Sequence, residues 1–119
     1  MLFVVSFASL IACASMAENE AEQEQEQEQG ILQGVYTTAQ AQRGTKTFAD
    51  ICRNCHIPRD FRSIFKQSEN TVAVINDYYD LISNTMPQDS PGSLSEDTYL
   101  DVMAYFMSLN GIAAADSTE

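Results

Sequence analysis

Histidine and cysteine are scarce in this chain of 119 residues, which contains one histidine and three cysteines. A structural zinc site needs four ligands, typically two pairs of Cys or His. Outside the apolar N-terminal run the chain offers only Cys52, Cys55 and His56, which is one ligand too few. The adjacent pair Cys55 and His56 is also poorly placed to bind a single tetrahedral ion. These counts argue against a zinc site.

Basic residues are few as well: six Lys and Arg stand against 17 Asp and Glu, and the formal net charge is −11. Such an acidic balance argues against nucleic acid and against anionic membrane surfaces as partners. All six basic residues lie between positions 43 and 66, around the paired cysteines. Nine acidic residues follow position 66 and no basic one does, so charge is distributed unevenly along the chain.

Long hydrophobic runs are missing, since the uncharged segment 2–14 is too short to span a bilayer. Residues 1–17 end on small residues and predict a signal peptide for export to the periplasm, although no Lys or Arg precedes the apolar run. Residues 10–13, Leu-Ile-Ala-Cys, are also similar to a bacterial lipobox. Acylation of Cys13 would anchor the protein to a membrane, whereas in a plain signal peptide Cys13 is only a small apolar residue. Both interpretations stay open.

The next segment, ENEAEQEQEQEQ, alternates glutamate with polar residues and has almost nothing to bury. We therefore predict a disordered linker over residues 18–35, a domain over residues 36–112 and a disordered tail over residues 113–119. A domain of this size has a modest core and often needs a metal, a disulfide or a cofactor to stabilise it.

The segment ICRNCHI (51–57) contains both paired cysteines and the histidine. A thioredoxin-like dithiol is disfavoured because no apolar, strand-like run precedes Cys52. A structural disulfide between Cys52 and Cys55 would close too small a loop to stabilise much. The pattern C-x-x-C-H is, however, the attachment motif of covalent heme: the two thiols bind the two vinyl groups, and the histidine binds the iron. This chemistry takes place outside the cytoplasm, in agreement with the export signal.

Three stretches together carry a resemblance to a known family: QAQRGTKTFADICRNCH (40–56), TMPQDSPGSLS (85–95) and YLDVMAYFMSLNG (99–111). In this order they resemble the class I c-type cytochromes, notably small periplasmic monoheme cytochromes and the cytochrome domains of quinohemoprotein dehydrogenases. The resemblance implies an all-α fold whose N- and C-terminal helices cross, with one covalent heme c in the core.

The same resemblance implies the cofactor-binding residues. Cys52 and Cys55 would attach the heme, and His56 would be an axial iron ligand. Met86, followed by a proline as in the family's TMP motif, would be the second axial ligand. The alternatives for Met86 are a loop side chain away from the iron or an iron with an open sixth position.

Helical periodicity supports the all-α prediction. Residues 41, 44, 48, 51 and 52 share one helical face, and a glycine at position 44 would let the first helix cross the last at close range. We expect Tyr105 and Phe106 to pack there against Gly44 and Phe48. The last helix should begin after Ser93 or Ser95 and end at Gly111, with an apolar stripe formed by residues 99, 102, 103, 106 and 109.

The middle of the chain departs from the family pattern, because no glycine occurs between Thr45 and Pro91. A short turn followed by one helix is predicted instead, with residues 72, 75, 79 and 82 on a common face. The run TVAVI (71–75) on its own is also compatible with a strand. The departure leaves open which carbonyl orients the His56 ring.

The motif and the resemblance predict a one-electron carrier. We do not expect an enzyme, since the chain shows no other catalytic constellation. We expect a monomer whose partners are redox proteins: a dehydrogenase, an oxidase or another cytochrome. One alternative is a heme c subunit docked permanently on such an enzyme. A second alternative is a heme-based ligand sensor, which requires that Met86 does not bind the iron.

Overall fold

The computed structural model describes residues 34–65 and 70–116. Within these two ranges the regular elements are helices, in agreement with the predicted all-α class: α1 (Thr38–Asp50), α2 (Thr71–Thr85) and α3 (Glu96–Leu109), with short 3-10 turns at Cys52–Asn54 and Pro58–Phe61. No helix in this part of the chain combines the length and the apolar character that crossing a membrane would require. The predicted signal peptide, the lipobox with Cys13 and the linker up to residue 33 lie outside the described residues.

Helix α3 begins and ends where the sequence predicts. Ser95 is its N-cap, and the Ser95 hydroxyl accepts a hydrogen bond of 3.2 Å from the backbone N–H of Thr98. Glu96 lies in the first turn, where a carboxylate interacts favourably with the helix dipole. Gly111 has a φ of 80°, a left-handed conformation that ends the helix without the steric cost of a side chain.

Helices α1 and α3 pack against each other at Gly44, as predicted. A Cβ atom at this position would lie 1.8 Å from the backbone oxygen of Asp101, so only glycine permits this approach. The Phe48 ring lies beside the crossing, with centroid distances of 5.3 Å to Tyr105 and 6.1 Å to Phe106. Phe48 is only 1% exposed, so aromatic side chains fill the contact between the two helices.

An ion pair that was not predicted joins the same two helices. Arg43 donates two hydrogen bonds of 2.7 Å, from Nε and Nη2, to the two carboxylate oxygens of Asp101. Asp101 is buried among the apolar residues of α3, and a bidentate guanidinium supplies both charge and hydrogen bonds to it. Because Arg43 precedes Gly44, the pair fixes the register of the two helices at their closest point.

Replacing Gly44 with alanine should lower the free energy of unfolding by about 2–3 kcal/mol. Helix propensity alone predicts the opposite sign, since alanine is favoured over glycine by about 1 kcal/mol in a helix. The added methyl group would meet backbone atoms of Asp101, which cannot rotate away. Urea denaturation of the purified protein measures the change.

Gln42→Ala, at an exposed position of the same helix, is the matched control and should stay within about 0.5 kcal/mol of wild type. A Gly44→Ala protein as stable as wild type would contradict the close crossing.

The run TVAVI is helical, so the strand alternative is wrong. Asn70 is the N-cap of α2, and its side-chain oxygen accepts a hydrogen bond of 2.8 Å from the N–H of Ala73. Ile82 is buried, whereas four other residues of α2 are half-buried against the core: Val74, Ile75, Tyr78 and Tyr79. The face that α2 turns to the core therefore includes Val74 and Tyr78, which were not predicted, while the predicted Val72 is not among the residues packed against the core.

The predicted disordered tail, residues 113–119, includes residues that belong to the fold. The Tyr36 hydroxyl donates to the Ile112 carbonyl at 2.5 Å, and the Tyr36 carbonyl accepts from the N–H of Ala115 at 2.8 Å. Asp116 accepts hydrogen bonds from the N–H and the hydroxyl of Thr38, at 2.7 and 2.9 Å, in the first turn of α1. Residues 113–116 are thus part of the fold, because the free N–H groups at the start of a helix attract a carboxylate. We call this set of contacts the terminal clasp.

Candidate functional site

A cavity of about 850 Å³ lies between α2, α3, the turn at Cys52–Asn54 and the loop that follows α2. Its wall is mostly apolar: α2 contributes Leu81 and Ile82, and α3 contributes Val102 and Phe106. All four residues that the sequence analysis assigned to heme lie in this wall: Cys52, Cys55, His56 and Met86. Cys52, Cys55 and His56 come from one turn, whereas Met86 lies 30 positions further along the chain, so the fold brings the two parts together.

The paired cysteines lie on a closed backbone turn. The carbonyl of Cys52 accepts hydrogen bonds from the N–H of Cys55 at 3.1 Å and from the N–H of His56 at 2.9 Å. Cys52 is half-buried and Cys55 is exposed, and both are free thiols. Two thiols and an imidazole are therefore held on one short, hydrogen-bonded stretch at the edge of the cavity.

The environment of Cys52 disagrees with a dithiol redox centre. Burial raises the pKa of the Cys52 thiol, against a smaller opposing effect of a backbone hydrogen bond. Reactive dithiol centres depend on the reverse, a lowered pKa that produces thiolate near neutral pH. Within residues 34–65 and 70–116, no three His, Cys, Asp or Glu side chains are grouped so as to hold a metal ion.

The ring of His56 has an aromatic neighbour and an anionic one. The edge of the imidazole meets Phe61, with a centroid distance of 5.4 Å and an interplanar angle of 72°. The Nδ1 atom of His56 lies 4.0 Å from the Asp60 carboxylate, which is too long for a hydrogen bond. That carboxylate accepts the backbone N–H of Ile57 at 3.0 Å. The group beside Nδ1 is thus a carboxylate where the sequence analysis expected a carbonyl.

Two aromatic residues of the cavity wall were missed by the sequence analysis. Phe61 is buried and stacks on Phe106, with ring centroids 4.2 Å apart and planes within 5° of parallel. Tyr78 meets Phe106 edge-on at 6.1 Å, and burial, with the nearby charge of Asp60, raises the pKa of its phenol. The helical period of α2 could have found Tyr78, which lies four residues before the buried Ile82. Nothing in the local sequence marks Phe61, because its partner comes from α3.

Met86 ends α2, and its backbone is held on both sides. Its N–H donates to the Ile82 carbonyl at 3.0 Å, and its carbonyl accepts the Tyr99 hydroxyl at 2.6 Å and the N–H of Gly92 at 3.3 Å. The half-buried side chain lines the cavity. Met103 is buried in the helical core and does not line the cavity, and the same is true of Met107. Of the three methionines in the described ranges, Met86 alone has access to the site.

No protein-family model, no curated protein and no solved structure matches this chain. Functional assignment therefore depends on the motif and on the geometry of the cavity.

The charged residues near the cavity wall are distributed unevenly. Arg53 and Arg59 are exposed and flank the lining residues Cys55 and His56 in sequence. On the other part of the wall, Asp89 lines the cavity itself. With Asp60 counted, residues 51–62 carry three arginines and one aspartate, whereas residues 86–95 carry one aspartate and no basic residue, so the first segment is the more basic of the two.

Proposed function

We propose that this protein is a one-electron carrier with a class I cytochrome c fold, and that it binds one heme c covalently through Cys52 and Cys55. His56 and Met86 would be the axial ligands. The observation that carries the proposal is the shared cavity wall: two thiols, an imidazole and a thioether line one space of about 850 Å³. That volume lies within the range of about 300–1,000 Å³ that is common for pockets binding small molecules and cofactors.

The residues of the cavity fit the proposed group chemically. Most of the wall is apolar and aromatic, as the flat and largely apolar ring of a porphyrin requires. Imidazole and thioether are the axial ligands of electron-transferring cytochromes c, in which the thioether raises the reduction potential. When bound, heme c supplies an iron centre that changes its charge by one electron.

Each part of the site has a task in this proposal. The hydrogen bonds to the Cys52 carbonyl hold the backbone of the turn that carries both thiols. Phe61 contacts the His56 ring from one side and is itself held by stacking on Phe106. With His56 and Met86 both bound to iron, no coordination position remains for a substrate. These features favour a carrier over an enzyme.

The test is expression of the exported protein together with a heme-maturation system, followed by denaturation in acidified acetone. We expect the heme to remain with the polypeptide, because thioether bonds to Cys52 and Cys55 survive the loss of the fold. A redox titration of the same protein should fit a single one-electron step. Extraction of the heme into the solvent would refute covalent attachment.

Two further measurements separate the carrier from the alternatives. A heme subunit docked permanently on a dehydrogenase or oxidase should co-purify with that enzyme, whereas a free carrier should elute as a monomer. A ligand sensor should bind carbon monoxide as readily as its Met86→Ala variant does. The basic surface near Arg53 and Arg59 favours a redox protein with an acidic patch as the partner, since charge complementarity orients the encounter.

A further inference from the structure

The hydroxyl group of Tyr99 is buried and hydrogen-bonds to two separate parts of the loop between α2 and α3. Tyr99 is 4% exposed, and its hydroxyl donates to the carbonyl of Met86 at 2.6 Å. The same oxygen accepts the backbone N–H of Leu94 at 3.4 Å. Met86 is the first residue of this loop and Leu94 precedes its last residue, Ser95, so Tyr99 joins the start of the loop to its final part.

The position of Tyr99 couples the loop to the rigid core. Tyr99 lies in the first turns of α3, which is fixed by the crossing with α1, and its ring lines the cavity. Its hydroxyl is the only side-chain group in the described residues that hydrogen-bonds to the Met86 backbone. The other contacts of this backbone are to main-chain atoms of Ile82 and Gly92.

We propose that Tyr99 is a positioning residue, which holds the backbone of Met86 so that the thioether sulfur stays at the iron. This inference rests on the proposed role of Met86 as axial ligand. A methionine side chain has three rotatable bonds and does not fix its own sulfur, so the constraint has to come from the backbone. Groups that orient a metal ligand without touching the metal commonly control how firmly that ligand binds.

A purely structural role for Tyr99 predicts something different. In that case the hydroxyl would stabilise the folded state as a whole and leave the balance between bound and released thioether unchanged. Tyr36 provides the comparison, because it is also 4% exposed and its hydroxyl also donates to a backbone carbonyl, that of Ile112 at 2.5 Å. Tyr36 belongs to the terminal clasp and does not line the cavity.

The experiment compares the heme-loaded wild type with the Tyr99→Phe, Tyr36→Phe and Met86→Ala variants. The readouts are the apparent affinity of the ferric protein for cyanide and the weak far-red absorption band of thioether-bound ferric heme. On this proposal the hydrogen bond is stronger while the thioether is bound to the iron, and its loss should raise the population of protein with an open sixth iron position about fivefold. The apparent cyanide affinity of Tyr99→Phe should rise by the same factor, toward that of Met86→Ala.

We expect Tyr36→Phe to lose thermal stability like Tyr99→Phe and to keep the cyanide affinity of the wild type within twofold, a margin well below the expected change of about fivefold. If Tyr99→Phe also keeps the wild-type affinity while Met86→Ala binds cyanide much more tightly, the positioning role is wrong and the ligand assignment stands. If wild type and Met86→Ala bind cyanide equally well, the proposed ligation fails and the positioning role fails with it. A rise of the same size in Tyr36→Phe would show a general loosening of the fold and would also refute the inference.

Discussion

The double variant Cys52→Ala/Cys55→Ala should lose the cooperative fold altogether. The cavity of about 850 Å³ has a mostly apolar wall, and without heme these side chains would be left in contact with water. A domain is stable by only about 5–15 kcal/mol, so the loss of this apolar burial should be enough to remove the cooperative fold. Folding of this protein would then depend on the attachment of heme.

Circular dichroism during a thermal scan measures the effect on the heme-free double variant. We expect a broad, non-cooperative decline in place of a sigmoidal transition. Arg53→Ala is the matched control, because Arg53 lies on the same turn, is exposed, offers no thiol and does not line the cavity. This control protein should retain heme and unfold cooperatively. A sharp transition in the double variant would show that the apolar core folds without a cofactor.

Replacing Met86 with alanine should leave the fold intact and change the iron site. The far-red absorption band should vanish, and the protein should bind cyanide and carbon monoxide. The reduction potential should fall by on the order of 0.1 V, because a soft thioether favours the reduced iron and axial ligands set potentials over about 0.8 V. Optical spectra and a redox titration measure these changes.

Met103→Ala and Met107→Ala are the controls for this result. Both methionines are buried, at 2% and 4% exposure, and neither lines the cavity. Their truncation should lower the free energy of unfolding by about 2–5 kcal/mol and leave the spectrum unchanged. If Met86→Ala keeps the far-red band, or if a core methionine variant loses it, the sixth ligand has to be assigned to a different residue.

Much of the fold could be predicted because its determinants are local. Helix α3 is defined within a short stretch of sequence by the Ser95 cap, by two acidic residues in the first turn and by Gly111. Gly44 was informative for a different reason: a glycine inside a helix is unfavourable unless something lies close to it. The backbone of Asp101 is that close neighbour.

The contacts that escaped prediction join residues far apart in the sequence. The sequence analysis assigned no role to Asp101, and only the packing of α1 brings Arg43 to it. Tyr99 was predicted as an apolar core residue, which its burial confirms, but the direction of its hydroxyl depends on the path of the Met86 loop. Periodicity predicts which face is buried and carries no information about the partner of a single polar atom.

The sequence predicted which residues form the candidate site, but it did not predict the groups that surround them. The motif and the family resemblance gave Cys52, Cys55, His56 and Met86, and these residues line one cavity. The carboxylate of Asp60, 4.0 Å from the Nδ1 atom of His56, was not expected, because the sequence analysis considered only a backbone carbonyl as the neighbour of this ring.

The terminal clasp brings the two ends of the described domain to the same point in space. The Tyr36 carbonyl and the Ala115 N–H are 2.8 Å apart although nearly the whole domain separates them in sequence. A linker of a few residues could therefore join these ends into a continuous ring, and the chain could be opened elsewhere to give a circular permutant. No residue of the clasp lines the cavity, so such a permutant would keep the wall around Cys52 and Met86 unchanged. Proteins whose ends lie close together commonly tolerate this rearrangement.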